Sequence, residues 1–264
     1  MDDAVVLFER RDSMAALTIN RPERRNALNE AVADGLVEAI DRAEADPACR
    51  SVIITGAGDR AFCAGGDLGA DKSGTPFDVD FSNPRNFVVK LLKRMNDCRL
   101  PIIARVNGHA LAGGFGLLCA CDMAVSVDYA RFGTPESRIG IFPMMILPHM
   151  MRVIPQRHLL EMSITGEQFD AEQARQYGVL NYVVPAAELD AKVAWLADRV
   201  AQSSPTGIRI GKIALSAMRD MTMDQALEYA QAMLQVMTST EDATEGFRSF
   251  QEKRKPDWYA TPSG

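Results

Sequence analysis

Apolar and polar residues alternate in "AVVLFE" and "MAALTIN", predicting two short strands joined around residues 10–13 as a hairpin. In "NEAVADGLVEAIDRAEAD" the apolar positions recur at helical spacing, with Asn29 placed to cap the start and Pro47 just past the end. "SVIIT" and "PIIARV" are unbroken apolar runs of strand length, so each predicts a buried strand. "FVVKLLKRMNDC" returns to the helical period, "MAVSV" predicts a further strand, and "ARFG" a short one. Strands alternating with helices imply right-handed crossovers and a largely parallel sheet. From 69 to 86 the chain is polar and aperiodic and reads as a mobile loop. After 181–184 only helical periods remain, over 187–202, 205–219, 222–236 and 242–253. The expected division is therefore 1–185 as an α/β core and 186–264 as a helical region.

Composition narrows the classes without choosing among them. A chain of 264 residues, nearly half hydrophobic, can bury a full core. Its formal charge of −6 offers no general attraction for nucleic acid or anionic membranes. An anionic ligand would need a few local cations and backbone N–H groups. No apolar run reaches membrane-span length, and "MDDAVVLFERRD" lacks the basic-then-apolar order of a signal peptide. The five cysteines, Cys49, Cys63, Cys98, Cys119 and Cys121, lie mostly in apolar segments. They read as buried thiols with no metal ligand set, in keeping with a cytoplasmic protein.

Two glycine-rich segments follow the buried strands: "FCAGGDL" and "GHALAGGFGLLCACD". In open α/β sheets ligands bind beyond the carboxyl ends of strands. "ITGAGDRAFCAGGD" has Gly56 and Gly58 but no third glycine at dinucleotide spacing, and no Gly-Lys-Ser/Thr follows. Nucleotide loops are thereby set aside. The remaining reading is a pair of backbone donors, the Ala64 N–H from the first segment and the Gly113 N–H at a helix start. Converging on one oxygen, they would form an oxyanion hole. Each segment by itself is equally consistent with plain turn and packing glycines.

The ordered set "NRPERRNALN", "FCAGGDL", "VNGHALAGGFGLLCACDMAV", "ARFGTPESRIGIFP" and "EGFRSFQEKRKP", spanning 4 to 257, resembles the enoyl-CoA hydratase/isomerase (crotonase) family. That resemblance implies an α/β crotonase-like (ClpP/crotonase) fold of repeated ββα units, with a helical C-terminal region used in trimerisation. It implies an acyl-CoA thioester substrate whose carbonyl sits between the N–H groups of Ala64 and Gly113, and no cofactor beyond the coenzyme A of that substrate. Arg24, Arg25 and the stretch Ala64, Gly65, Gly66, Asp67 and Leu68 match the lining of the CoA pocket. Phe250 and Lys253 match positions that reach it from a neighbouring subunit, giving a homotrimer or dimer of trimers. Read by themselves, Lys253, Arg254 and Lys255 are a cationic helix end that complements the dipole.

The resemblance also assigns acid–base work to Glu136 in "GTPESRIG", a position where a glutamate could equally complement a helix start. Hydratases of the family usually carry a second glutamate, and its position matches Gly116. Glycine transfers no proton, but it would leave room for a bulkier, branched or carboxylated acyl group. Hydration of a 2-enoyl-CoA is the first expectation, with branched or methylglutaconyl-like acyl groups among the candidates. A one-glutamate 3,2-enoyl-CoA isomerase and a non-catalytic thioester-binding protein are the alternatives. Asp67 is expected to cap the helix that follows it, and His109 and His149 to be packing residues. The run Met144, Met145, Met150, Met151 reads as core or as a flexible acyl pocket.

Overall fold

The computed structural model describes residues 4–67 and 86–259. Leu68 and all of the predicted 69–86 loop except Asn86 lie outside them. The chain opens with β1 (Val6–Arg11) and β2 (Met14–Ile19), paired antiparallel as the predicted hairpin. Helix α1 (Glu30–Ala45) follows, its first turn capped by the Asn29 side chain accepting from Val32 N–H. Next come β3 (Ser51–Gly56), β4 (Ala61–Cys63) and α2 (Phe87–Asp97), then β5 (Ile102–Val106), β6 (His109–Leu111) and α3 (Gly113–Cys119). The third repeat is β7 (Met123–Val127) and β8 (Arg131–Gly133), leading into a 3-10 helix, Pro135–Ile139.

Helices α4 (Leu147–Val153) and α5 (Gln156–Thr165), strand β9 (Phe169–Asp170), α6 (Ala171–Gln176) and β10 (Tyr182–Val184) complete the α/β part. Four helices end the described chain: α7 (Leu189–Ala201), α8 (Pro205–Met218), α9 (Met223–Thr238) and α10 (Glu241–Gln251).

The single sheet expected from the sequence is two. A six-stranded sheet runs β1-β2-β3-β5-β7-β10, parallel except for the first hairpin. A four-stranded sheet runs β4-β6-β8-β9, with only the β8–β9 pair antiparallel. Each repeat gives one long strand to the first sheet and one short strand to the second before its helix. "ARFG" accordingly supplies a strand of the second sheet, not an extension of the first. The core fills the space around the long strands, where Leu17, Ile54, Ile102 and Val125 are wholly buried. Beneath the small sheet, Phe115 of α3 meets Phe169 edge to face at 5.6 Å, and Phe132 stacks on Phe169 at 5.9 Å.

The terminal helices divide by burial. Leu189, Val193 and Leu196 of α7 join the same core as the sheets. In contrast, α9 has no buried residue, and Met223, Leu227, Leu234, Phe247 and Phe250 on α9 and α10 are all exposed. Lys212 of α8 anchors this region, donating to the Leu100 carbonyl at 2.9 Å and pairing with Asp122. Among the described residues no helix is long and apolar enough to cross a membrane.

Candidate active site

The two glycine-rich segments leave the carboxyl ends of β4 and β6, which are adjacent and parallel, and so arrive side by side. The first is held against Leu28: Leu28 N–H donates to the Gly65 carbonyl at 2.7 Å, and Asp67 N–H donates to the Leu28 carbonyl at 2.8 Å. In such a parallel bridge the intervening residue turns its own N–H and C=O away from the partner chain. That residue is Gly66. Its N–H has no acceptor among the described residues, and a Cβ built on Gly113 would stand 3.6 Å from it.

The Ala64 N–H is used elsewhere. It donates to the Arg25 carbonyl at 3.1 Å. The expectation that Ala64 supplies an oxyanion-hole donor is therefore corrected: its hydrogen is spent in tying two loops together. Ala64 still borders the cavity, and the free donor two residues on is that of Gly66.

The second segment provides the other donor. Ala112, at φ +50, turns the chain sharply into α3, whose first intrahelical bonds run from Phe115 and Gly116 N–H to the Ala112 carbonyl. The Gly113 N–H precedes those bonds and lacks an intrahelical acceptor. Gly65, at φ +103, lets the first loop pass so close that a Cβ there would stand 2.7 Å from the Ala112 methyl. At Gly114 a Cβ would fall 2.1 Å from the Cys63 carbonyl oxygen, so α3 seats on the end of β4 only without a side chain there.

A cavity of about 620 Å³ opens in front of these two N–H groups. Its lining holds Ala64, Gly66, Gly113 and Glu136, and its remaining wall is mostly apolar, with Leu28, Phe87, Ile139, Phe142 and Met145 among its residues. The Ala112 N–H donates to the Gly133 carbonyl at 2.9 Å, which brings the end of β8, and with it the 3-10 turn carrying Glu136, over the donors. Glu136 Oε2 is buried without a hydrogen-bond partner. Burial raises its carboxyl above the ordinary 4.5, opposed only in part by its own backbone N–H. A half-buried carboxyl with one unpartnered oxygen beside an apolar cavity is suited to carrying a proton.

Other predicted residues fall around this centre unequally. Arg24 and Arg25 lie on the exposed 3-10 turn beside the first loop. Asp67 pairs with Arg21 at 2.7 Å, their side chains 7% and 14% exposed, so it clamps the two loops; the helix expected to follow it is outside the described residues. Phe250 and Lys253 do not line the cavity within one chain. His109 accepts from Arg131 N–H and His149 is half-buried on α4, and neither borders the cavity. Of the methionines, Met144 and Met145 line it, Met150 is core, and Met151 faces solvent. Gly116 itself opens no space to an acyl group, because the Ile146 side chain occupies the space a side chain there would take. Burial raises the Cys63 thiol to about 12, consistent with inert packing. Among the described residues no cluster of His, Cys, Asp and Glu could hold a metal ion.

The enoyl-CoA hydratase/isomerase family model matches residues 9–261. The chain belongs to the enoyl-CoA hydratase/isomerase family. Carnitinyl-CoA dehydratase of Proteus mirabilis is 35% identical over 94% of this chain and 95% of its own. (E)-benzylidenesuccinyl-CoA hydratase of Thauera aromatica is 32% identical over 95% of this chain and 97% of its own. The crystal structure of an enoyl-CoA hydratase from Mycobacterium smegmatis superposes with a TM-score of 0.91 at 28% identity, over 97% of this chain and 99% of that one. The fold is accordingly the crotonase fold, and the chain is an enzyme of a family that acts on acyl-CoA thioesters.

Proposed function

We propose that this enzyme hydrates the 2,3 double bond of an apolar 2-enoyl-CoA, using the Gly66 and Gly113 N–H groups and a single carboxylate, Glu136. The observation that carries the reading is that both N–H groups and the Glu136 carboxyl, with its Oε2 unpartnered among the described residues, border one apolar cavity. The thioester oxygen lies between the two donors. Water attacks C3 as Glu136 takes one of its protons, and the electron pair of the double bond moves to the thioester oxygen as an enolate. Protonated Glu136 then delivers that proton to C2, and the thioester carbonyl re-forms. Water is added in full and the carboxylate is regenerated. Two aligned donors in a site shielded from water stabilise the enolate, each by a hundred- to thousand-fold in rate.

A second reading is supported by Gly116. With one carboxylate, the same site would shift a double bond from the 3 to the 2 position by moving a proton from C2 to C4. Absorbance of the conjugated enoyl thioester separates the two: hydration consumes it from 2-enoyl-CoA, and isomerisation creates it from 3-enoyl-CoA. Binding without turnover of either substrate would instead favour a thioester-binding protein.

The assembly is proposed to be a trimer or a dimer of trimers, with 186–264 as its contact region. The apolar side chains that α9 and α10 leave exposed support this reading. In it Phe250 and Lys253 meet the adenosine end of a CoA bound to the neighbour, and no further cofactor is required.

A further inference from the structure

One of the closest approaches in the site region is between α3 and the start of α4. A Cβ on Gly116 would fall 2.1 Å from Ile146 Cγ2 and 2.3 Å from Ile146 Cβ. Neither partner can yield easily. The Ile146 carbonyl accepts from His149 and Met150 N–H in the first turn of α4, so its Cβ is fixed by the backbone. The Gly116 carbonyl accepts from Ala120 N–H inside α3, whose neighbours Phe115 and Leu117 are wholly buried. Ile146 lines the cavity and Gly116 does not, so Ile146 stands between Gly116 and the substrate space.

We propose that Ile146, seated on Gly116, is a specificity-determining residue that closes the α3 side of the acyl cavity. It rests on the acyl-CoA reading above. The pair gives this side an aliphatic wall in place of any side chain that position 116 could send into the cavity. That wall admits straight, apolar acyl groups and rejects branches and charges directed toward α3. The substrate class is thereby narrowed to enoyl thioesters with no branch or charge on the α3 side of the acyl chain, and the two positions act as one unit: a side chain at 116 is accommodated only where 146 gives up its own.

The test combines unfolding with binding. Thermal midpoints are measured for the wild type, Gly116→Ala, Ile146→Gly and the double variant. Gly116→Ala is expected to lower the midpoint by several degrees in the wild-type background and to be nearly neutral beside Ile146→Gly. Ile146→Ala, which retains the Cβ, gives an intermediate result and serves where the glycine variant folds poorly. Affinities for butyryl-CoA and isovaleryl-CoA, neither of which has a double bond to hydrate, are then compared in the wild type and Ile146→Ala. The branched-to-straight preference is expected to rise about tenfold or more on truncation, the discrimination expected of methylene-sized contacts in an apolar pocket. A neutral Gly116→Ala in the wild-type background, or an unchanged preference, would overturn the proposal. A wild type that binds both thioesters but turns over no enoyl-CoA would overturn the hydratase reading alone and leave the wall standing. No binding of either thioester would overturn both.

Discussion

The Ala64 N–H donates to the Arg25 carbonyl at 3.1 Å, while Gly66, two residues on, presents its N–H beside Gly113. Gly65 between them, at φ +103, interrupts the extended run and separates the directions of the two N–H groups. Residues 64 and 66 face the same way in sequence terms, but the bridge to Leu28 is centred on Gly66 and turns only that N–H toward the cavity.

The donor assignment is tested by two substitutions at one position. A Cβ at Gly66 meets nothing within 4 Å among the described residues, so Gly66→Ala keeps the N–H and is expected to keep most activity. Gly66→Pro deletes the N–H and should lower kcat a hundred- to thousand-fold. Gly65→Ala, forced into a positive φ against Ala112, should destabilise the protein instead. Steady-state kinetics with thermal melts on the three variants separate these outcomes.

Glu136→Gln should reduce kcat by a hundred- to ten-thousand-fold. It should also stabilise the fold at neutral pH. Burial raises the Glu136 carboxyl above 4.5, so the folded state favours the protonated form. That advantage is complete below the ordinary value and is lost as pH rises through the raised one. The variant, neutral throughout, therefore melts above the wild type at pH 7, and the gap closes below about pH 4.5, which melts across that range would record.

Arg21 and Asp67 form a nearly buried ion pair between the first loop and the chain before α1. Arg21→Ala removes its hydrogen bonds to the Asp67 carboxylate and the Ala27 carbonyl and is expected to cost about 2 kcal/mol in chemical denaturation. Loss of thioester affinity should accompany it, since the pair holds the Gly66 segment in place.

Leu227 and Leu234 lie seven residues apart on α9, on one face, 62% and 60% exposed. Replacing both with aspartate should dissociate the assembly to monomers in sedimentation velocity. An unchanged sedimentation coefficient would remove the proposed trimer contact.

Much of this was legible in the residues. The first hairpin and α1 announced themselves because each is long enough for its period to show, β3 and β5 because their apolar runs are unbroken, and Asn29 marked the helix start it caps. The second sheet was hidden because β4 and β6 are three residues each, too short for alternation to register, while the short strand read in "ARFG", β8, carries no sign of which sheet it joins. Glu136 was readable from its motif. The choice of Gly66 over Ala64 was not, because it depends on a cross-chain bridge to Leu28 that no local pattern announces. Ile146 was equally unreadable: thirty residues separate it from Gly116, and only tertiary packing seats it there.

The most direct test of the site is exchange of the C2 protons of butyryl-CoA with deuterated water, followed by NMR in the wild type and in Glu136→Gln. Exchange requires only enolate formation, the step shared by hydration and isomerisation. The wild type is expected to exchange and Glu136→Gln to fall at least a hundredfold below it. Equal exchange in the two proteins would contradict a site in which Glu136 carries the proton.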